Sequence, residues 1–367
     1  MEIETKTLKK MLSKAIKCSS NNNMIPLTQL ININYDPNSK QLKLITTDII
    51  NYMIVKEDIQ DVFEPINVTV KLNTLNKLLS KIKADIVELK QVNKELVIIG
   101  SGTSRLEVFV DDDGEPLKFP VRKINEDDIQ INLGYDFNFA NLKANLSCIN
   151  EKTINEIYTQ FYFRNNLIVT NKDYAACFSH FSSIVINDFM ISSKLMSLIL
   201  TSLSTEGQII ADSKSIKIVM CDMEVIGPRV DNSLQYPIDR LLKVYDILRE
   251  NQIVFNKNEM IEIIDRCLAF DNMFEAKVLN IQINPNCLGF IRISNNHEEH
   301  VSDLELINSE ICDDFTEIEN IKIATEEFKT LLASNPSDVI SIYFSEATQS
   351  PISIVSDGVV QILVRLG

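Results

Sequence analysis

VTVKLNTLNKLLSKIK at residues 68–83, FMISSKLMSLILTSL at 189–203 and IKIATEEFKTLLASN at 321–335 decide the reading of this chain. Each begins as an extended segment and turns into a short helical stripe. Leu75, Leu78 and Leu79 share a face in the first, Leu195, Leu198 and Ile199 in the second, and Phe328, Leu331 and Leu332 in the third. That i, i+3, i+4 spacing is the signature of an amphipathic helix. Asn73, Ser192 and Thr325 stand at the expected N-caps. The unit recurs roughly every 120–130 residues, far beyond the ~20–50 of a solenoid repeat, so whole domains repeat.

Strand-like runs follow each helix: DIVELKQ, LVIIGS and RLEVFVD; then QIIAD, SIKIVMC and MEVIGP; then VISIYFS, ISIVSD and VVQILVRL. Period-2 alternation with short polar turns predicts an antiparallel meander, half buried under helices. The first half of each repeat has the same plan. LKKMLSKAIK, FANLKANLSCI and EMIEIIDRCL open the three as helices, and strand-like runs such as LININYD, LKLITTD, IYTQFYF and NLIVTN follow. Two aromatic-proline steps, Phe119-Pro120 and Tyr236-Pro237, mark extended junctions. The expected domains are 1–121, 122–238 and 239–367, each an α+β unit with two helices on antiparallel sheets.

No apolar run approaches the ~20 residues of a membrane helix, and MEIETKTLKK lacks the apolar stretch of a signal peptide. A soluble, cytoplasmic protein with no membrane partner is expected. The seven cysteines, at 18, 148, 177, 221, 267, 287 and 312, include no CxxC pair. Free thiols in a reducing compartment follow, with no disulfide framework or zinc site.

The net charge of -15 argues, as a sum, against nucleic acid. Its distribution argues otherwise. Residues 5–17 hold five lysines and no acid, and residues 71–83 hold four and no acid. Residues 293–321 hold carboxylates and no Lys or Arg. Repeated domains on a rotation axis can close a ring. Lysine-bearing helices lining its hole would face phosphates while the acidic bulk stays outside.

No catalytic site emerges. DDDGE at 111–115 lacks the remaining ligands of a calcium loop. His297 and His300 lack HExxH spacing. GSGTS at 100–104 leads into a strand rather than a helix, so it is no phosphate loop. Neither metal nor cofactor is implied.

Across its whole length the chain resembles the beta subunit of bacterial DNA polymerase III, the three-domain sliding clamp, as a divergent member of cellular or phage source. The features that carry this are MIPLTQLINI after the opening helix, LKLITTD, the step at 119–120, LIVTNKDYAA, YPIDRLL and the terminal VVQILVRL. The resemblance implies a non-enzymatic processivity factor. It would be a head-to-tail homodimer, each chain half of a ring around duplex DNA. It would slide without sequence specificity and tether the replicative polymerase.

The resemblance also implies sites. Polymerase and clamp-loader peptides would enter an apolar pocket between the second and third domains. There Thr170 and Pro237 match the family, Leu241 and Leu242 follow, and Pro351 lies at the rim. Lys172, Asp173, Tyr174 and Ala175 depart from the family's Gly, His, Arg and Leu. Val360, Ile362 and Leu363 replace Val, Met and Pro, and Arg365 matches. The pocket set is thus Thr170, Lys172, Tyr174, Ala175, Pro237, Leu241, Leu242, Pro351, Val360, Ile362, Leu363 and Arg365. The helical cations Lys10, Lys14, Lys77, Lys81, Lys143, Lys194, Arg266 and Lys329 would meet DNA phosphates, contacts that carry no sequence information. Leu106 and Val108 would meet Leu268 and Phe270 across the dimer. Two other readings are a clamp-fold adaptor or decoy that binds clamp partners without encircling DNA, and a metal-dependent nuclease using Asp111 to Asp113.

Overall fold

The computed structural model describes residues 1–20, 24–111, 113–230, 235–246, 250–270, 276–312, 319–345 and 350–366. In chain order the first repeat comprises β1 (Glu2–Glu4), α1 (Thr5–Ala15), β2 (Leu30–Asp36), β3 (Gln41–Thr47), β4 (Tyr52–Asp58) and β5 (Ile66–Lys71). It continues with α2 (Leu72–Lys81), β6 (Ile86–Val92), β7 (Glu95–Gly100) and β8 (Gly102–Glu107). Next come β9 (Ile131–Asp136), α3 (Phe139–Ser147), the long β10 (Gln160–Lys172) and β11 (Ala175–Ser192), and α4 (Ser193–Ile199). The strands β12 (Glu206–Ala211), β13 (Ser215–Met220) and β14 (Met223–Pro228) close that stretch.

The last third holds α5 (Ile238–Tyr245), β15 (Asn251–Asn256), α6 (Lys257–Phe270), β16 (Val278–Ile283), β17 (Phe290–Asn295) and β18 (Val301–Glu305). It ends with β19 (Asn308–Glu310), β20 (Glu319–Ala324), α7 (Thr325–Ser334), β21 (Val339–Phe344), β22 (Ile352–Ser356) and β23 (Val359–Leu363). Every pairing among these strands is antiparallel, as the alternating runs predict.

The chain forms two compact units, residues 1–136 with 194–230, and 137–193 with 231–367. The first contains an eight-stranded sheet, β5-β2-β3-β4-β14-β13-β12-β9, and a four-stranded sheet, β1-β6-β7-β8. The second contains a seven-stranded sheet, β10-β11-β23-β22-β21-β15-β19, and a four-stranded sheet, β18-β17-β16-β20. Both large sheets run through an expected junction, by β4 pairing β14 and by β11 pairing β23.

The helical stripes seat where their spacing requires. Leu72, Leu75 and Leu79 of α2 are buried, as are Leu8, Met11, Leu12 and Ala15 of α1, and the two helices pack together. In the second unit α7 buries Phe328, Leu331 and Leu332 against α3 and α6. A β-carbon at Gly227 would sit 2.7 Å from Asn51 Oδ1 and 2.7 Å from Leu195 Cδ1, so only glycine lets α4 lie this close to β14.

The expected caps need correction. α2 begins at Leu72 after Lys71, and α7 begins at Thr325 after Ala324, both without a side-chain cap. Asn73 and Thr325 therefore lie inside their helices. The strand feeds the helix directly, and an extended residue sits at each N-cap. α3 does have a side-chain cap, where Asn138 Oδ1 accepts from Ala140 N at 3.0 Å and Asn141 N at 3.2 Å.

Candidate functional site

The β11–β23 pairing puts Ala175 opposite Leu363, Ala176 opposite Ile362, Cys177 opposite Gln361 and Phe178 opposite Val360. Successive side chains point to opposite faces. Ala175, Cys177, Leu363 and Val359 belong to the core beneath the helices. Ala176, Phe178, Val360 and Ile362 therefore face the other way, and α5 lies over them. The Tyr245 ring sits 4.7 Å from that of Phe178. At the start of α5, Tyr236 is buried, stacks on Tyr162 at 4.5 Å and donates to Val169 O at 3.2 Å. Burial pushes the Tyr236 phenol well above its usual pKa, so it stays a neutral donor.

This outer face is partly open. Tyr174, in the turn between β10 and β11, is 63% exposed, and Val364 is 42% exposed. Their backbones join through Val364 N donating to Tyr174 O at 3.0 Å. Val360, Leu241, Leu242, Pro237 and Pro351 are half-buried. The result is an apolar, partly open surface with an exposed aromatic at its edge, suited to anchoring apolar side chains of a peptide.

Four residues of the expected pocket instead face the helices. Thr170 is fully buried and donates to Asn145 O of α3 at 2.8 Å. Lys172 donates to Ser147 O at 2.6 Å and ion-pairs with Glu327 of α7. Ala175 and Leu363 are core. Arg365 is also buried, with Nη1 on Glu319 Oε1 at 2.6 Å and Nη2 on Ser345 O at 2.8 Å. These five brace the sheet from behind or from its end. Phe178 and Ala176 were missed by the sequence reading, although both alternate with the core residues Ala175 and Cys177 along β11; Tyr245 lies in LLKVYDIL, the apolar stretch after Pro237 that the sequence offers as a pocket wall.

Asn145 was missed too. Its Nδ2 lies 3.3 Å from both Thr170 Oγ1 and Cys177 O, and its Oδ1 accepts from Ser179 Oγ at 2.5 Å. This buried amide fixes α3 to β10 and β11, where an unpaired polar group would be costly.

The helical cations divide by environment. Lys6, Lys10 and Lys17 fall on the outward stripe at the α1 end of the first unit, and Lys77 and Lys81 project from α2. Lys143 and Arg266 are exposed on α3 and α6. Among the described residues Lys10, Lys77, Lys81, Lys143 and Arg266 form no ion pair. Lys194 is exposed and donates to Lys17 O at 3.4 Å.

Lys14 differs. It is buried and ion-paired with Asp222, in the two-residue turn between β13 and β14. Burial raises the Asp222 pKa, but hydrogen bonds from Lys14, Ser202 and Leu203 N outweigh it and hold the carboxyl below its usual value. Lys329 is ion-paired with Asp265 of α6. The charge of Lys14 is thus committed within its own unit, whereas the Lys329–Asp265 pair lies at the surface.

β8 in the first unit and β18 in the second are edge strands, each paired on one side only among the described residues. Beyond β8 lie Phe109, 40% exposed, and Val110, 38% exposed, while Leu106 is half-buried and Val108 buried. Around β18, Val301 is 45%, Phe290 48% and Phe270 52% exposed. Phe270 stacks on His300 at 5.5 Å, and Leu268 packs against the core. Open edges flanked by apolar side chains invite strand addition.

No protein-family model and no curated protein matches the sequence. Solved structures do match, over the whole chain. The DNA polymerase III subunit beta of Pseudomonas aeruginosa superposes with a TM-score of 0.79 at 12% identity, covering 100% of this chain and 99% of that one. The beta subunit from Thermotoga maritima gives 0.78 at 15%, covering 100% and 98%. The one from Streptococcus pyogenes gives 0.81 at 15%, covering 100% and 99%. Such a likeness at such identity shows the fold, which is the α+β fold of the sliding clamps, as the sequence resemblance implied.

Proposed function

We propose that this chain is a non-enzymatic DNA sliding clamp of three repeated domains, 1–121, 122–238 and 239–367, acting in the cytoplasm. Two copies close head to tail around duplex DNA and tether a DNA polymerase. The carrying observation is a pairing rule within the chain. The strand order β4-β3-β2-β5 recurs as β18-β17-β16-β20, followed in each case by a helix and three strands. β18 is thus the counterpart of β4, and β8 the counterpart of β14 and β23. Within the chain β4 pairs β14 and β11 pairs β23, which leaves β8 and β18 as the unmatched pair. Pairing β18 of one copy with β8 of another completes the rule twice and covers both of these edges.

Lys10, Lys77, Lys81, Lys143, Lys194 and Arg266 are the cations available to phosphates, a sequence-independent attraction that permits sliding. Lys14 serves structure, and Lys329, in a surface ion pair with Asp265, can still turn to a phosphate. The outer face of β11 and β23 with α5, edged by Tyr174, receives short linear peptides of the polymerase and the clamp loader.

The test is retention on DNA. The assembled protein should have twice the 41.8 kDa chain mass. It should stay on closed circular DNA after loading and run off when the circle is cut. Charge reversal of Lys10, Lys77 and Lys194 should abolish retention and leave peptide binding intact. Equal retention on linear and circular DNA would refute encirclement. A monomer that binds clamp partners would point to the adaptor.

A further inference from the structure

We propose that the first unit carries a second docking groove, at the β4–β14 pairing, which takes a short acidic segment of a partner protein bearing apolar anchor side chains. The two junctions match residue for residue. Ile226 stands opposite Tyr52 as Ile362 stands opposite Ala176, and Glu224 stands opposite Ile54 as Val360 stands opposite Phe178. Thr46 Oγ1 donates to Ala15 O of α1 at 2.7 Å as Thr170 Oγ1 does to Asn145 O of α3. The outward face at the first junction is therefore Tyr52, Ile54, Ile226 and Ile45. These residues cluster beneath Phe119 and Val121, which stand where α5 stands at the second.

A cleft of about 410 Å³ opens there, between the chain at 121–129 and the sheet. Its size lies within the ~300–1,000 Å³ typical of ligand sites. Ile54, Ile226, Ile210, Val121, Ile124 and Ile129 supply its apolar lining. Ile129 borders the cleft and is 43% exposed, so its side chain is within reach of an apolar anchor.

Charge selects the occupant. Arg122, Lys123 and Lys217 line the cleft against Glu126 and Glu224. Glu224 is itself ion-paired with Lys56 and lies 3.9 Å from Lys217. The lining is thus net positive on a chain whose total is -15. A basic, apolar cleft on an acidic protein favours an acidic ligand and disfavours a second copy of the same chain. The second junction has Val360 where this one has Glu224, so the two grooves would prefer different peptides.

The test uses the full chain and fluorescence anisotropy. The probes are labelled short peptides with two leucines flanked by aspartates, and the same peptides with lysines in place of the aspartates. The proposal expects the acidic peptides to bind and the lysine peptides to bind at least ~10-fold more weakly. Ile129→Asp and Lys123→Glu alter exposed side chains, and each should weaken acidic-peptide binding ~10-fold or more with the thermal melt unchanged. Val360→Asp, at the second junction, should leave that binding in place. Any of four results would overturn the proposal: no binding of acidic peptides, binding indifferent to Ile129→Asp and Lys123→Glu, binding lost in Val360→Asp alone, or a change of oligomeric mass in Ile129→Asp. None of them bears on retention on circular DNA, so this inference and the clamp reading fail separately.

Discussion

Lys14→Met should destabilise the first unit by about 2–3 kcal/mol. The lysine and Asp222 side chains are only 9% and 11% exposed. Removing one member of a buried ion pair costs ~3–5 kcal/mol, because the other charge is left in low dielectric. Two features place this site below that range. Ser202 Oγ still donates to Asp222 Oδ1 at 2.5 Å, and Leu203 N to Oδ2 at 3.2 Å. Methionine keeps an unbranched apolar side chain of similar length in place of the lysine stem. Urea unfolding is the assay. With a slope of about 2 kcal/mol per molar, the midpoint of the first unit should fall by about 1–1.5 M. The double variant Lys14→Met/Asp222→Leu should recover most of the loss, since a buried pair replaced by apolar groups is close to neutral. If Lys14→Met stays within ~0.5 kcal/mol of the parent, or the double variant loses the sum of the single losses, the two charges are not coupled and the account of Lys14 fails.

Asp222 also predicts a pH dependence. Its folded pKa lies below its unfolded value, so its contribution is complete above the ordinary aspartate range of about 3.9 and is lost as pH falls through the lower folded value. Asp222→Asn should flatten that part of the acid limb in urea midpoints measured against pH; an unchanged slope would refute it. Thr170→Val should cost about 1–2 kcal/mol, by stranding Asn145, without weakening peptide binding. Tyr174→Ala should leave the melt almost unchanged and weaken binding of polymerase-derived peptides about tenfold, as read by anisotropy. Phe270→Asp places a charge beside the open β18 edge and should shift the protein toward monomer in sedimentation; a persistent dimer would remove this surface from the interface.

Much of this protein is legible from local pattern. The stripes at Leu75/Leu79 and Leu331/Leu332 are helical because apolar side chains three and four apart share a face, and the chain buries them as that spacing demands. Alternation in MEVIGP and VVQILVRL announces strands for the same reason. The repetition of these patterns in order carries the fold even where identity to known clamps is 12–15%. Caps were less legible, because Lys71 and Ala324 enter their helices from strands and borrow tertiary support rather than a side-chain cap.

The sites needed the third dimension. Lys10 and Lys14 lie on one helix and look alike in sequence, four residues apart. Only folding brings Asp222, 208 residues away, beside one of them, so one stays available to a ligand and the other becomes a structural ion. Thr170 and Tyr174 both lie in LIVTNKDYAA. The two share parity but not a face, because the two-residue turn at 173–174 interrupts the alternation between β10 and β11, and parity alone does not say which face is which. That was decided by α3 and α7 covering one side and α5 the other, an arrangement set by long-range contacts that no local period encodes.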